Sequence, residues 1–333
     1  MVLALAGGLW LFDKVTRDTC DDAGGDEAIA ACTRAIDSGR LEGHDLAVKY
    51  YNRGVEYKNK GDLDRAIADY TETIRLDPED KDPYINRGVA YDAKGDHDRA
   101  IADYSEAIRL DPKDTDPHNN RGVAYKAKGD LDRAITDYNE AIGLDPKFAK
   151  TYINRGNAYR AKDDLDRAIA DYSEAIRLDP RNLSGYLSRG RANLYAGALP
   201  NALADFNRAS ALDPKDAYAA LWHDIANKRG NLPSRLSDAV AQIDLTQWPA
   251  PVIRLYLGQM TPEAVLAAAD NPDADPKNGQ ICEANFYTGE LDLQQGKKDD
   301  AIRLFRLAAA SCPKGFVEYE GANAELKALG AAQ

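Results

Sequence analysis

Five prolines, Pro78, Pro112, Pro146, Pro180 and Pro214, stand 34 residues apart, and each closes a near-copy of one segment. The first copy reads NRGVEYKNKGDLDRAIADYTETIRLDP. The next three keep NRG, a tyrosine, KGD or KDD, DRAI, DY and LDP in phase, and a more divergent fifth, SRGRANLYAGALPNALADFNRASALDP, ends at Pro214. A chain with this period does not bury its core around one centre. Each unit covers the apolar face of its neighbour, so the expected product is a stack of supersecondary units. Within each copy the spacing predicts two helices joined by a tight KGD or KDD turn, whose aspartate caps the second helix. Leu-Asp-Pro ends that helix, because proline cannot continue it.

Gly54, Gly88, Gly122, Gly156 and Gly190 fall mid-way along the first helix, where glycine costs about 1 kcal/mol of helix propensity. The expected compensation is close approach of the second helix, with Ala66, Ala100, Ala134, Ala168 and Ala202 as the small partners. Tyr57, Tyr91, Tyr125 and Tyr159, with Tyr70, Tyr104, Tyr138, Tyr172 and Phe206, read as core. Arg53, Arg87, Arg121, Arg155 and Arg189 recur in phase with Asp69, Asp103, Asp137, Asp171 and Asp205. They read as one ion pair or hydrogen bond per unit, on a solvated face.

These motifs resemble the tetratricopeptide repeat family, in five copies at 47–80, 81–114, 115–148, 149–182 and 183–216. The resemblance implies an all-α fold, a right-handed superhelical solenoid of helix-turn-helix repeats whose first helices line a concave, peptide-binding face. On that face it places Asn52, Val55, Asn86, Val89, Asn120, Val123 and Lys126, then Asn154, Asn157 and Arg160. An asparagine amide donates and accepts, so such a ladder can pin an extended peptide backbone. The same amides can instead bond within the array. The family's chaperone clamps place lysine three residues before the repeat glycine. Here that position holds Tyr51, Ile85, Asn119 and Ile153, which points away from a chaperone clamp.

The flanks are less regular. Residues 25–36, GDEAIAACTRAI, follow the second-helix pattern, so 15–46 reads as a degenerate capping repeat. Repeat arrays need such caps, because an end unit exposes its apolar face. Residues 217–280 read as irregular helical pairs: helices at 217–230 and 234–243, two more over PVIRLYLGQM and TPEAVLAAAD, then a loop at 271–278. The repeat register returns at 281–314, and 315–333 reads as a C-terminal capping helix. The succession WPAPVIRLYLG, CEANFYTGE, LFRLAA and FVEYEGANAEL over 217–330 resembles NlpI-type bacterial tetratricopeptide lipoproteins. That resemblance implies a non-catalytic envelope adaptor that docks a processing protease or a peptidoglycan hydrolase. The sequence departs from that family in lacking its lipid-attachment cysteine, and its repeats are more regular.

The start, MVLALAGGLWLF, is an apolar run too short to span a bilayer. The segment 1–14 reads as a remnant of an export signal, with an N-terminal core helix as the other reading. Four cysteines form two local pairs, Cys20/Cys32 and Cys282/Cys312. An antiparallel helix pair would bring Cys282 and Cys312 together, and the DDAGGD turn would fold Cys20 back on Cys32, so both pairs are expected as disulfides. That usage points to the periplasm or to secretion, with a cytoplasmic protein holding four free thiols as the alternative.

Of 333 residues, 44% are hydrophobic and 29% charged, with net charge −12. Forty-three basic against 55 acidic residues argue against a nucleic-acid partner, which demands a basic surface. His44, His97, His118 and His223 lack metal-ligand spacing, and no nucleophile elbow, phosphate loop or dinucleotide fingerprint occurs. No metal, small-molecule cofactor or catalysis is therefore expected. An enzymatic site would have to lie in 217–280.

Overall fold

The computed structural model describes residues 19–22, 24–270, 277–313 and 316–331, so the apolar start 1–14 lies outside the described residues. The chain divides into two compact units, Met1–Lys128 and Gly129–Gln333, and the division falls inside the third repeat. Among the described residues every regular element is a helix. Unit one contains α1 (Thr19–Asp22), α2 (Gly25–Asp37), α3 (Gly43–Asn59), α4 (Leu63–Leu76), α5 (Asp82–Ala93), α6 (His97–Leu110) and α7 (Thr115–Ala127). Unit two begins with α8 (Leu131–Leu144), α9 (Ala149–Ala161), α10 (Leu165–Leu178), α11 (Leu183–Tyr195), α12 (Leu199–Leu212) and α13 (Ala217–Arg229). It continues with α14 (Leu236–Ala239), α15 (Ala250–Tyr256), α16 (Pro262–Ala269), α17 (Lys277–Gln294), α18 (Lys298–Ser311) and α19 (Val317–Ala328).

The repeat helices begin and end where their residues dictate. Asp62, Asp96, Asp130 and Asp164 each accept the backbone N–H three residues on, an N-cap in every copy. The turn before the cap needs a left-handed residue. Gly61 and Gly95 supply it at φ +79° and +76°, and Asp163 takes the same conformation at φ +61° in the KDD copy. The second helices stop at Leu76, Leu110, Leu144, Leu178 and Leu212, one residue before Asp-Pro.

The close approach at the repeat glycines is made to an aromatic ring, which corrects the expectation that the alanines face them. A Cβ on Gly54 would stand 2.8 Å from the Tyr70 ring, on Gly88 2.7 Å from Tyr104, on Gly156 2.7 Å from Tyr172 and on Gly190 2.6 Å from Phe206. These rings are fully buried, and so are Ala66, Ala100, Ala168 and Ala202. The in-phase charges also differ from a solvated face. Asp69, Asp103, Asp171 and Asp205 are buried. Arg53 grips Asp69 through two bonds of 2.8 Å, and the pairs Arg87–Asp103, Arg155–Asp171 and Arg189–Asp205 repeat the fork.

Past α13 the expectations hold in part. The helix expected over 234–243 shortens to Leu236–Ala239. Beyond it the chain tightens into turns, with the Gln242 N–H on the Ala239 carbonyl at 3.2 Å and the Ile243 N–H on the Val240 carbonyl at 3.3 Å in place of helical bonds. Of the loop expected at 271–278, residues 271–276 lie outside the described residues, and α17 already begins at Lys277. Cys282 on α17 and Cys312 after α18 are at bonding distance with Cα atoms 4.9 Å apart, and Cys20 and Cys32 likewise at 4.6 Å.

Packing at the glycines is directly testable. Gly88→Leu drives a side chain into the Tyr104 ring and is expected to lower unfolding free energy by about 2 kcal/mol, beyond any gain in helix propensity. Val89→Ala, one residue along on the exposed side, should change it by less than about 0.5 kcal/mol. Denaturant melts of the two variants check the contrast, and equal midpoints would refute the packing.

Candidate functional site

The residues expected on the concave face separate between the two units. In unit one, α3 carries Asn52 and Val55, α5 carries Asn86 and Val89, and α7 carries Asn120, Val123 and Lys126. Val89 and Val123 are 36% and 39% exposed, large apolar side chains left in solvent. The asparagines are already engaged. Asn52 Nδ2 donates to Asp21 at 2.8 Å. Asn86 Oδ1 accepts from Lys58 Nζ at 2.6 Å, while its Nδ2 donates to Tyr51 Oη at 2.9 Å and to the Asp82 carbonyl at 3.1 Å. Asn120 Oδ1 accepts from Asn119 at 3.3 Å, and Asn119 itself is buried. Asn52 and Asn86 thus brace the array from within, Asn86 tying α3 to α5, while Asn120 accepts only from its neighbour on the same helix.

In unit two the first helices turn their faces to one another and to α19. Trp222 of α13 is fully buried among Phe206, Tyr195, Phe286 and Tyr287. Helix α19 adds Glu318, Gly321, Ala322, Glu325 and Leu326, a buried stripe at helical spacing. Gly321 is required there, since a Cβ would meet Tyr195 Oη at 2.6 Å and the Phe286 ring at 2.8 Å. Asn154 is half-buried on α9. Asn157 accepts from Tyr172 Oη at 2.8 Å. Arg160, expected in an open groove, is 8% exposed and ion-paired to Glu320 of α19. Its place is inside unit two, covered by a helix that lies 160 positions along the chain.

The seam beneath α19 is charged. Arg229 Nη2 donates to both oxygens of Glu290, at 2.7 and 2.8 Å, and to Glu325 at 2.5 Å. Burial pushes the Glu290 carboxyl up to about 7, with Arg229 opposing the shift and Glu325 adding to it. Glu283 accepts from Tyr218 Oη and Trp248 Nε1, each at 2.8 Å, and is pushed up to about 7 by burial and by Glu318. Glu318 accepts from Tyr287 Oη at 3.2 Å, and its carboxyl is also raised, chiefly by burial. Burial and the charge of Arg160 lower the pKa of Arg191. Sequence reasoning missed this cluster. The acidic stripe of α19 was legible, but its arginine partners lie on helices far away in the chain.

Several clefts open on unit two, two of them beside charged groups. One of about 810 Å³ runs beside α19, and its cations Lys162, Lys327 and Arg229 are ion-paired to Asp132, Asp163 and the two glutamates. The other, about 410 Å³, is lined by His223, Asp224 and Arg235, and Asp224 pairs with Lys228 at 2.9 Å. Among the described residues no group of three or more His, Cys, Asp or Glu side chains stands in position to hold a metal ion. His97 bonds Asp92 at 2.8 Å and His118 is buried.

Comparison with known families agrees with the geometry of the repeats. Residues 47–80 and 149–182 match the tetratricopeptide repeat model, and residues 91–129 and 124–163 match a second TPR repeat model, so the chain carries tetratricopeptide repeats. Among solved structures it is similar to a tetratricopeptide repeat protein from Parabacteroides merdae, at 17% identity over 85% of this chain and 98% of that chain, with TM-score 0.56. It is also similar to Pseudomonas aeruginosa pilF, at 16% identity over 72% of this chain and 99% of that one, with TM-score 0.53. MamA matches at 27% identity over 50% of this chain and 96% of its own, with TM-score 0.46. The two broader likenesses establish the all-α solenoid fold class.

The seam predicts a pH dependence. Unfolding returns Glu283 and Glu290 to the ordinary range near 4.5. Between about pH 4.5 and 7 the folded chain therefore holds protons that the unfolded chain has released, and stability falls as pH rises through that window. The slope is at most about 1.4 kcal/mol per pH unit for each group. Glu283→Gln keeps an oxygen acceptor for Tyr218 and Trp248 and removes one titration. Thermal melts from pH 5 to 8 should show the parent losing stability faster than the variant, and parallel curves would contradict the assignment.

Proposed function

We propose that this chain is a non-catalytic protein-interaction scaffold that holds a partner segment along the first-helix face of unit one, in a bacterial cell envelope. The reading is carried by Val89 and Val123, exposed aliphatic side chains at the same register position of adjacent repeats. A rigid helical face with large apolar side chains left in water is a surface suited to a partner's side chains. The rest of that face is braced internally, so it is preorganised and loses little entropy on binding. The envelope part is supported by the two cysteine pairs at bonding distance, since disulfides persist in oxidising compartments. The resemblance of 217–330 to NlpI-type adaptors supplies the partner class, an envelope protease or a peptidoglycan hydrolase.

Two measurements test the reading. Capture from envelope extracts followed by crosslinking identifies the partner, and Val89→Asp with Val123→Asp should weaken that capture about tenfold or more while circular dichroism stays native. Undiminished capture would move the interface off this face. Thiol counting on unreduced, denatured protein should find no free cysteine, and reduction should destabilise the α17–α18 hairpin by about 3 kcal/mol. Four reactive thiols would instead favour a cytoplasmic adaptor.

A further inference from the structure

Lys58 lies half-buried on α3, and its ammonium donates to a neutral group, the Asn86 amide oxygen, at 2.6 Å. Its pKa is lowered by burial, with no neighbouring carboxylate raising it. A partly desolvated cation without a counter-charge is a costly arrangement unless something completes it. Position 58 is the register equivalent of Arg160, three 34-residue periods on. There the counter-charge is present, because Arg160 is paired to Glu320 of α19. Unit two thus shows what complements this position, a helix that sets a glutamate on the cation and a stripe of small and apolar residues on its surroundings. On the first helices of unit one, one register position in three successive copies holds half-buried Val55 and exposed Val89 and Val123.

The amides narrow the mode of recognition. An extended peptide must have its backbone bonded by the receptor, and Asn52 and Asn86 already spend their donors within unit one. A helix satisfies its own backbone and asks the receptor only for side-chain contacts. We propose that the first-helix face of unit one docks an acidic amphipathic helix of a partner protein, with a carboxylate on Lys58 and aliphatic side chains on Val89 and Val123. This rests on the reading above that the partner binds this face, and it adds the partner's conformation and charge.

The test uses the full chain and two labelled synthetic peptides. One has the sequence of residues 316–331, which carries Glu318, Glu320 and Glu325 beside Leu326. The other replaces those three glutamates with glutamine. Fluorescence anisotropy at low salt is expected to show the acidic peptide binding about tenfold more tightly than the neutral one. Lys58→Gln should abolish that difference, and Val89→Asp should weaken both peptides. A preference for the acidic peptide that survives Lys58→Gln but falls in Arg160→Gln would mean that the peptide displaces α19 in unit two, and it overturns the inference. Equal binding of the two peptides, still sensitive to Val89→Asp, overturns the acidic helix and leaves the interaction face standing. No binding of either peptide also overturns the inference, while capture with the valine variants decides the face independently. Circular dichroism confirms that each variant is folded.

Discussion

The arginine fork is the interaction on which the array depends. In four of the repeats the guanidinium of the first helix, on Arg53, Arg87, Arg155 and Arg189, takes both oxygens of an aspartate on the second helix through Nε and Nη2. Its remaining nitrogen reaches back a full repeat. Arg53 Nη1 donates to Thr33, Arg87 to Thr71, Arg121 to Ser105, Arg155 to Asn139 and Arg189 to Ser173. One side chain therefore fixes two helices of its own unit and the last helix of the unit before. Lysine could not do this, since a point ammonium lacks the planar fork. The aspartates are buried, so the pair adds little over an apolar pair, but any slip in register would strand a desolvated charge. The fork thereby enforces the 34-residue spacing.

Around the fork the remaining contacts fall into place. The aromatic ring of the second helix sits against the bare backbone of the repeat glycine, which sets the distance between the helices. Arg65, Arg99 and Arg167 lie over the rings of Tyr57, Tyr91 and Tyr159 at 4.5, 4.3 and 4.5 Å. Along the turns Lys60, Lys94, Lys128 and Lys162 pair with Asp26, Asp64, Asp98 and Asp132 of the preceding unit. These exposed pairs are weak individually, but they repeat the register that the buried forks impose.

What was legible in the sequence is what the period encodes locally. Caps, turns, helix ends and the Arg–Asp pairs follow from residues at most one repeat apart, and both cysteine pairs follow from the turns between their helices. Three features were not legible. Which small residue meets which ring depends on how one helix is rotated about its axis, so glycine was matched to alanine when it faces Tyr70 or Phe206. The segment 234–243 has helical spacing, yet only Leu236–Ala239 forms α-helix and the chain then turns through three-residue bonds at Gln242 and Ile243. Arg160 read as a groove residue because its partner, Glu320, lies in a distant helix with no repeat register of its own. The asparagine ladder is a related case. Its spacing was correct, but the spacing alone does not say whether an amide faces a ligand or a neighbouring helix, and Asn86 faces Lys58 and Tyr51.

The contrast between the units traces to a few register positions on one scaffold. The position held by Val55, Val89 and Val123 becomes Asn157 and then Arg191, and the position of Tyr57, Tyr91, Tyr125 and Tyr159 becomes Asn193, which donates to Asp205 at 3.2 Å. Val89 and Val123, which stay in solvent, thus give way to half-buried Asn157 and then to buried Arg191, with Asn193 buried beside it in register. Burying Arg160 and Arg191 requires carboxylates, and α19 brings Glu318, Glu320 and Glu325 to Glu283 and Glu290 already on α17. Glu320 then pairs with Arg160, Glu290 and Glu325 pair with Arg229, and the charge of Glu318 acts on Arg191, in a largely buried seam. Such a seam specifies one placement of α19, because few alternatives pair the charges. Burial, with Glu318 and Glu325 adding to it, raises Glu283 and Glu290 to about 7. An apolar seam would seal unit two without that dependence. The charged one ties the seating of α19 to proton uptake, while the valine face of unit one is independent of it.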